Sequence, residues 1–374
     1  MQLHNRIEWL KIFLFLAAIW IPLLLTFTTP LKKISAAEKR ELAPFPSIST
    51  AELATFPDRF EAFYNDHFGL RNTLVRGYNI MQVSVLGASV SDKVIVGKDG
   101  WLFQNGKPHL SDIRNTWPFS EAELRHWANV LIEKHRALEA KGITYLFVIS
   151  PSKHLIYQDK LPEAFQPVSP VSRMDQLVAY LEQHTDVPVL DLRPGLFKAR
   201  ETLRPYHRTD THWNAYGAYT GYRQIMDYLK KRKNKGRMLK LKPRDFTVRT
   251  GPGGDLAGLL NMRNDLREEY IEPEESVGDC LYNTSLVVEA DDPDRQRNRN
   301  SFATECSRGT GRLLMFRDSY SLAMMPYLSE SFSYVYYFPS SPVSRQGLYQ
   351  VVEEQRPDIV IEQRTSRWLR TPEG

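Results

Sequence analysis

Leu313-Leu314-Met315-Phe316-Arg317-Asp318-Ser319-Tyr320-Ser321 is an apolar run that stops at a charged pair and restarts as a segment compatible with a helix. Four consecutive large apolar residues suit a strand buried on both faces, and residues 320–328 have helical spacing. The stretch predicts a strand running into a helix, with Ser319 at the junction. In an open α/β sheet, the carboxyl end of a strand is where ligands sit.

Working outward, the same alternation recurs. Residues 121–140 read as an amphipathic helix with Ser120 as N-cap and Gly142 closing it. Residues 143–149 form a short strand rich in β-branched and aromatic side chains, ended by Ser150-Pro151-Ser152. A helix over 173–184, a strand over 187–190, and a helix over 215–231 follow. A strand over 334–338, a helix over 345–354 and a last strand over 358–361 complete the series. Apolar strands separated by amphipathic helices imply a parallel sheet covered on both faces. Before this region, residues 56–78 have helical spacing and 94–103 read as a hairpin around Lys98-Asp99-Gly100. Residues 291–301, rich in Asp, Arg and Asn, read as a surface loop. No internal repeat is apparent.

The chain has 374 residues, of which 42% are hydrophobic and 25% charged, the balance of a globular protein rather than a disordered one. The N-terminus differs. Residues 12–27 are uncharged and almost wholly apolar, and 28–31 extend them without charge. A run of about 20 such residues crosses a bilayer as a helix, and Pro22 is tolerated there. Ile34-Ser35-Ala36-Ala37 is a weak cleavage site lying beyond Lys32-Lys33, so an uncleaved anchor is preferred to a signal peptide. The expected organisation is a cytoplasmic tip and transmembrane anchor over 1–37, a Pro-, Ala- and Ser-rich stalk over 38–57, and a domain over 58–374. Charge alone is ambiguous about orientation. Arg6 and Lys11 precede the span, while Lys32, Lys33, Lys39 and Arg40 follow it, which would place the large domain in the cytoplasm.

The net charge of +5 is mild, and the basic run from Lys230 to Arg244 reads as a solvated helix end and loop in preference to a contact with an anionic polymer or lipid headgroups, with no nucleic-acid motif beside it. The two cysteines, Cys280 and Cys306, suit one disulfide outside the cytoplasm, but two cysteines alone do not establish it. No cysteine–histidine spacing resembles a zinc site, and no cofactor or metal is expected.

Chemistry concentrates in two segments. Asp210-Thr211-His212-Trp213 offers an acid and a base two positions apart; in an extended segment both point to one face, so the carboxylate can orient the imidazole. Asp318-Ser319-Tyr320 offers a serine at a helix N-terminus, where its own amide and that of Tyr320 would face a developing oxyanion. The plain alternative is that Asp318 or Ser319 only caps the helix, and that Asp210 with Asn214 caps the next one. The order Asp, His, Ser is admissible, because a triad is defined by geometry. His207 is a competing base without a carboxylate two residues away, and His67 reads as structural. Lys153, at the end of the 143–149 strand, would hold an anionic or hydroxyl-rich substrate or stand solvated in a loop. Gly251-Pro252-Gly253-Gly254-Asp255 lacks phosphate-loop spacing and reads as a turn.

Asp210-Thr211-His212-Trp213-Asn214, continuing to Gly217-Ala218-Tyr219, resembles the signature of the alginate O-acetyltransferase family of SGNH-hydrolase-like proteins, the AlgJ and AlgX type. Asn65-Asp66-His67-Phe68-Gly69-Leu70-Arg71, Gly97-Lys98-Asp99-Gly100-Trp101-Leu102-Phe103, Pro151-Ser152-Lys153 and Asp318-Ser319-Tyr320-Ser321 fit in type and order. The resemblance spans about 56–361. It implies an SGNH-hydrolase-like α/β/α sandwich, circularly permuted so that the serine comes late, behind an N-terminal transmembrane anchor. It also implies acetyl transfer onto a cell-surface polysaccharide outside the cytoplasm, in the periplasm or at the cell surface, with acetyl supplied by a membrane-bound O-acyltransferase. It carries over Ser319 as nucleophile, His212 as base and Asp210 as its orienter, and favours an exported domain over the charge count. One position departs. Arg317 stands where glycine is common, which would set a bulky side chain beside the oxyanion pocket. No carbohydrate-binding module is expected after the catalytic part.

An acetylesterase would use the same three residues, and a non-catalytic member of a polysaccharide assembly would use the cleft only for binding. The expected reading is the transferase.

Overall fold

The computed structural model describes residues 2–28, 33–35, 40–49, 52–233, 235–282, 301–339 and 343–372. Residues 36–37 of the weak cleavage site and 291–300 of the expected surface loop lie outside them. The chain forms two compact units, one of residues 1–91 with 257–265, the other of 92–256 with 266–374.

In the first unit, α1 (Gln2–Thr28) contains a 21-residue apolar stretch, Arg6–Thr26, of mean hydropathy 2.1, long enough to cross a membrane. Pro22 removes one helical donor, and the Thr26 hydroxyl donates to its carbonyl at 2.9 Å. Residues 56–78 do not form one helix. They split into α2 (Phe56–His67) and α3 (Arg71–Ile80), because Leu70 is left-handed at φ 66°. Gly69 between them packs on α1. Its amide donates to the Thr26 hydroxyl at 2.9 Å, and a Cβ there would lie 2.2 Å from the Pro22 carbonyl oxygen. A π turn (Met81–Val85) continues α3. His67 holds the Ala43 carbonyl at 3.0 Å.

The second unit opens with a hairpin of β1 (Val94–Val96) and β2 (Leu102–Gln104), turned by Asp99 and Gly100 at positive φ, then α4 (Lys107–Arg114). Helix α5 (Glu121–Glu139) carries the expected Ser120 cap, as a capping box with Glu123. Next come β3 (Thr144–Ser150), α6 (Arg173–His184), β4 (Val189–Asp191), α7 (Arg193–Arg200) and α8 (Ala215–Lys233). A second hairpin, β5 (Phe246–Gly251) with β6 (Glu268–Pro273), has burial too mixed along its strands to stand out in sequence. The chain ends with β7 (Phe302–Glu305), β8 (Arg312–Phe316), β9 (Tyr334–Phe338), α9 (Arg345–Gln355) and β10 (Ile359–Thr365).

Among the described residues, six strands form one sheet in the order β4-β3-β10-β8-β9-β7, parallel except for β7. Alternate residues feed two cores. Leu146, Val148, Met315 and Ile361 face one, with Tyr222 and Ile225 of α8. Phe147, Ile149, Phe316 and Val360 face the other, with Trp127 of α5 and Leu177 of α6. This is the expected α/β/α sandwich, in which buried strands read as continuous apolar runs. Cys280 and Cys306 are joined in a disulfide.

Central β10 breaks that rule at its carboxyl end, where Glu362, Gln363, Arg364 and Thr365 are all fully buried. Glu362 accepts from Lys134 Nζ at 2.9 Å, the Tyr145 hydroxyl at 2.9 Å and Arg364 at 2.8 Å. Burial alone would raise its carboxyl, but the two cations hold it below its ordinary value. Glu362→Leu removes the buried carboxylate that faces both cations and should lower stability by about 3–5 kcal/mol in urea unfolding. Loss of under about 1 kcal/mol would mean that the pair contributes little beyond its own desolvation.

Candidate active site

The carboxyl ends of β3, β8 and β10 lie side by side and position the site. Asp318 ties two of them together. Its Oδ2 accepts from the amide and hydroxyl of Thr365, at the end of β10, at 2.7 and 2.6 Å. Its Oδ1 accepts the Tyr320 amide at 2.9 Å, capping the 3-10 turn Ser319–Met324. The expected helix over 320–328 is this turn followed by an α-helix, Met325–Ser331. Ser319 is exposed at the turn's start.

The loop between α7 and α8 supplies the other partners. Tyr206 and Trp213 form an antiparallel bridge, with residues 207–212 as its turn. Asn214 rather than Asp210 caps α8, its Oδ1 accepting the Gly217 amide at 3.0 Å. Asp210 is thereby left to orient His212, whose Nδ1 lies 2.8 Å from Asp210 Oδ1. On the other side of the ring, Nε2 lies 2.9 Å from Ser319 Oγ. With Nδ1–H donating to the carboxylate, Nε2 is the acceptor for the serine proton. The three residues predicted together are in contact.

Tyr320 has a different place from the one expected. Its amide, assigned in sequence to the oxyanion pocket, is already taken by Asp318, because the cap needs that donor. Its buried side chain instead locks the two segments. The hydroxyl donates to the Thr211 carbonyl at 2.8 Å, and the Tyr320 carbonyl accepts from Trp213 Nε1 at 2.9 Å. Arg317 is buried, with Tyr337 and Asp318 acting on its guanidinium. It is not among the residues lining the crevice bounded by Thr211 and Tyr320.

Lys153 is also displaced from its expected role. It is only 4% exposed, over the rings of Trp101 and Phe103 at 5.6 and 5.3 Å. Its ammonium donates to the carbonyls of His207, Arg208 and Asp210 at 3.2, 3.0 and 2.7 Å. Three donors are matched by three carbonyls, so the group grips the loop and has none left for a substrate. Burial pushes its pKa down to about 7 against the pull of Asp210, Glu268 and Asp255.

Sequence reading missed two acidic residues. Glu268 of β6 is fully buried and accepts the amide and hydroxyl of Thr209, both at 2.6 Å. Its other oxygen, Oε1, accepts from Arg204 at 3.1 Å and lies 3.9 Å from His207 Nδ1, so the competing base packs against Glu268. Asp255 accepts the Thr211 amide at 2.7 Å and the Thr211 hydroxyl. Its own amide donates to Asp210 Oδ2 at 2.9 Å. The glycine turn before it has a reason: a Cβ at Gly254 would lie 2.4 Å from that of Asp210. Burial alone would raise the Asp210 carboxyl, but the His212 side chain and the amides of Asp255 and His212 hold it well below the usual range. Asp210, His212 and Asp255 offer ligand-type atoms within 4.8 Å of one another. Both carboxylates already accept N–H or O–H donors, an arrangement suited to orienting the imidazole.

Residues 94–292 match the family model described as SGNH hydrolase-like domain, acetyltransferase AlgX, just over half of the chain. The chain belongs to this family. The match includes Asp210 and His212 and stops before Ser319. The "Probable alginate O-acetylase AlgJ" of Pseudomonas aeruginosa is 24% identical over 211 residues, 54% of this chain and 50% of that protein. The protein of the same description from Azotobacter vinelandii is 28% identical over 142 residues, 35% of this chain and 36% of its own length. The chain thus spans half or less of these relatives. The structure of Bacillus cereus PatB1 with a sulfonyl adduct has a TM-score of 0.52 at 17% identity, covering 73% of this chain and 96% of that one. This likeness is one of fold.

A sulfonyl fluoride should label the wild type but not Ser319→Ala, as read by intact mass. Lys153→Met keeps the apolar stem and deletes the grip, and should slow labelling about 10- to 100-fold in a folded protein. An unchanged rate would show that the loop holds its geometry without the ammonium. Glu268, whose pKa its partners lower to about 2, contributes stability that is complete above its ordinary value of 4.5 and is lost as the pH falls through about 2. Glu268→Gln should flatten that part of the acid-unfolding curve.

Proposed function

We propose that this protein is a membrane-anchored O-acetyltransferase acting outside the cytoplasm, moving acetyl groups onto a cell-surface polysaccharide through an acetyl-serine. The observation that carries the reading is the continuous line Asp210–His212–Ser319, with contacts of 2.8 and 2.9 Å. His212 Nε2 takes the Ser319 proton as Oγ attacks the acetyl carbonyl carbon, and Asp210 steadies the imidazolium. The proton then passes from Nε2 to the leaving oxygen of the donor, which leaves an ester on Ser319. In the second half, His212 takes the proton of a sugar hydroxyl as its oxygen attacks the ester. The Ser319 oxygen leaves and recovers that proton. The Ser319 amide, at the start of its turn, is the proposed oxyanion donor.

The names of the curated relatives suggest alginate or a similar acidic glycan as acceptor. Arg367 lines the crevice beside Thr211 and Tyr320 and offers such a polymer a cation, while burial keeps the neighbouring His109 and His154 neutral. A membrane-bound O-acyltransferase is the proposed source of acetyl. The disulfide supports an exported domain, since such bonds persist in oxidising compartments. The packing of Gly69 on Pro22 and Thr26 supports a retained anchor over 1–37, followed by a stalk over 38–57 and an acetyltransferase domain over 58–374.

The test gives the detergent-solubilised full chain an activated acetyl ester, with and without oligosaccharide. Wild type should form an acetyl adduct and pass it to the sugar. Ser319→Ala and His212→Ala should each lose about 10^3-fold or more of ester turnover, and Asp210→Asn a comparable amount. Turnover with acetate as the only product would favour an acetylesterase. Folded proteins that are all equally inert would favour a non-catalytic assembly role.

A further inference from the structure

Helix α3 and the π turn that continues it carry an apolar stripe on the outside of the first unit. Leu74, Tyr78, Met81 and Val85 recur at helical spacing and are 53%, 55%, 48% and 74% exposed. Four large apolar side chains in one line are more than the scattered exposure of an ordinary surface. The opposite face of the same helix is fixed. Asn79 and Val83 are buried, Asn79 donates to the Leu260 carbonyl at 2.7 Å, and Arg76 pairs with Asp265. The helix therefore has an inner face held by residues 257–265 and an outer stripe turned away from them.

What covers the stripe follows from where the helix begins. Gly69, two residues before α3, is bonded to Thr26 and packed on Pro22 and Leu25. These belong to the last turns of the apolar stretch Arg6–Thr26. In a helix that spans a bilayer, its last turn lies at the boundary between acyl chains and headgroups. Helix α3 thus starts at that boundary, with Arg71 in its first turn and Tyr78 within its stripe, residue types that favour the interface.

We propose that α3 and its π turn lie in the membrane interface, with the Leu74–Tyr78–Met81–Val85 stripe against lipid. The proposal rests on the anchor reading of α1. It gives the chain a second, amphipathic attachment beside its span, in the manner of an interfacial helix.

The test uses the full chain in vesicles of phosphatidylcholine and phosphatidylglycerol. The two native cysteines are paired, so single added cysteines at Leu74, Met81, Thr73 and Leu16 can each carry an environment-sensitive fluorophore. Labels at 74 and 81 should be quenched several-fold more by lipids with a shallow nitroxide than the label at exposed Thr73, and less by aqueous iodide. The label at 16 should answer to deep nitroxides. If 16 answers while 74 and 81 respond only to iodide, the interfacial helix is refuted and the anchor stands. Shielding of 74 and 81 that appears only on adding a second protein refutes it equally. If 16 is also in water, the anchor reading fails and the proposal falls with it.

Discussion

Two hydrogen bonds hold the site to a single geometry: the Tyr320 hydroxyl on the Thr211 carbonyl, and Trp213 Nε1 on the Tyr320 carbonyl. They run in opposite directions between segments about a hundred residues apart in the chain. Each links a neighbour of His212 to the neighbour of Ser319, so neither His212 nor Ser319 moves without stretching both. Both bonds are buried, where an unmade bond leaves a polar group dry and costs about 1–3 kcal/mol. The 2.9 Å contact between His212 and Ser319 is a consequence of this pairing.

Around that lock, the 207–212 turn is held from three sides by groups of opposite character. Lys153 binds its carbonyls, Glu268 binds the Thr209 amide and hydroxyl, and Asp255 binds those of Thr211. A turn this short has few backbone bonds of its own, so its amides and carbonyls must be satisfied from outside. Buried charges perform this at the expense of their own hydration, which is why Lys153 is pushed down in pKa while Glu268 is lowered by its donors.

The strands and helices of the sandwich are legible because their apolar periodicity follows from burial, and the capping box at Ser120 from local chemistry. The contact of Asp210, His212 and Ser319 is legible because an acid and a base two positions apart share one face of an extended segment, and because the family resemblance assigns the serine. What sequence could not supply is occupancy. Tyr320 and Lys153 were placed at the right sheet edge with the wrong partners, since nothing local reveals that Asp318 takes one amide and three carbonyls take one ammonium. Glu268 and Asp255 lie 59 and 44 residues from the threonines they hold. Neither has a spacing that marks it. The split at Leu70 is hidden because a leucine gives no sign of a left-handed backbone.

The disulfide has a further consequence. Cys280 and Cys306 bracket residues 281–305, and that interval also divides the candidate site, with Asp210 and His212 on one side and Ser319 on the other. A peptide bond cut anywhere within the interval would leave His212 and Ser319 on separate polypeptides, still one covalent molecule. Because β8, which leads to Ser319, pairs with β10 in the same late part of the chain and β10 pairs with β3 in the early part, the two pieces would also share one sheet. The site is thus insulated from the fate of the segment that joins its halves.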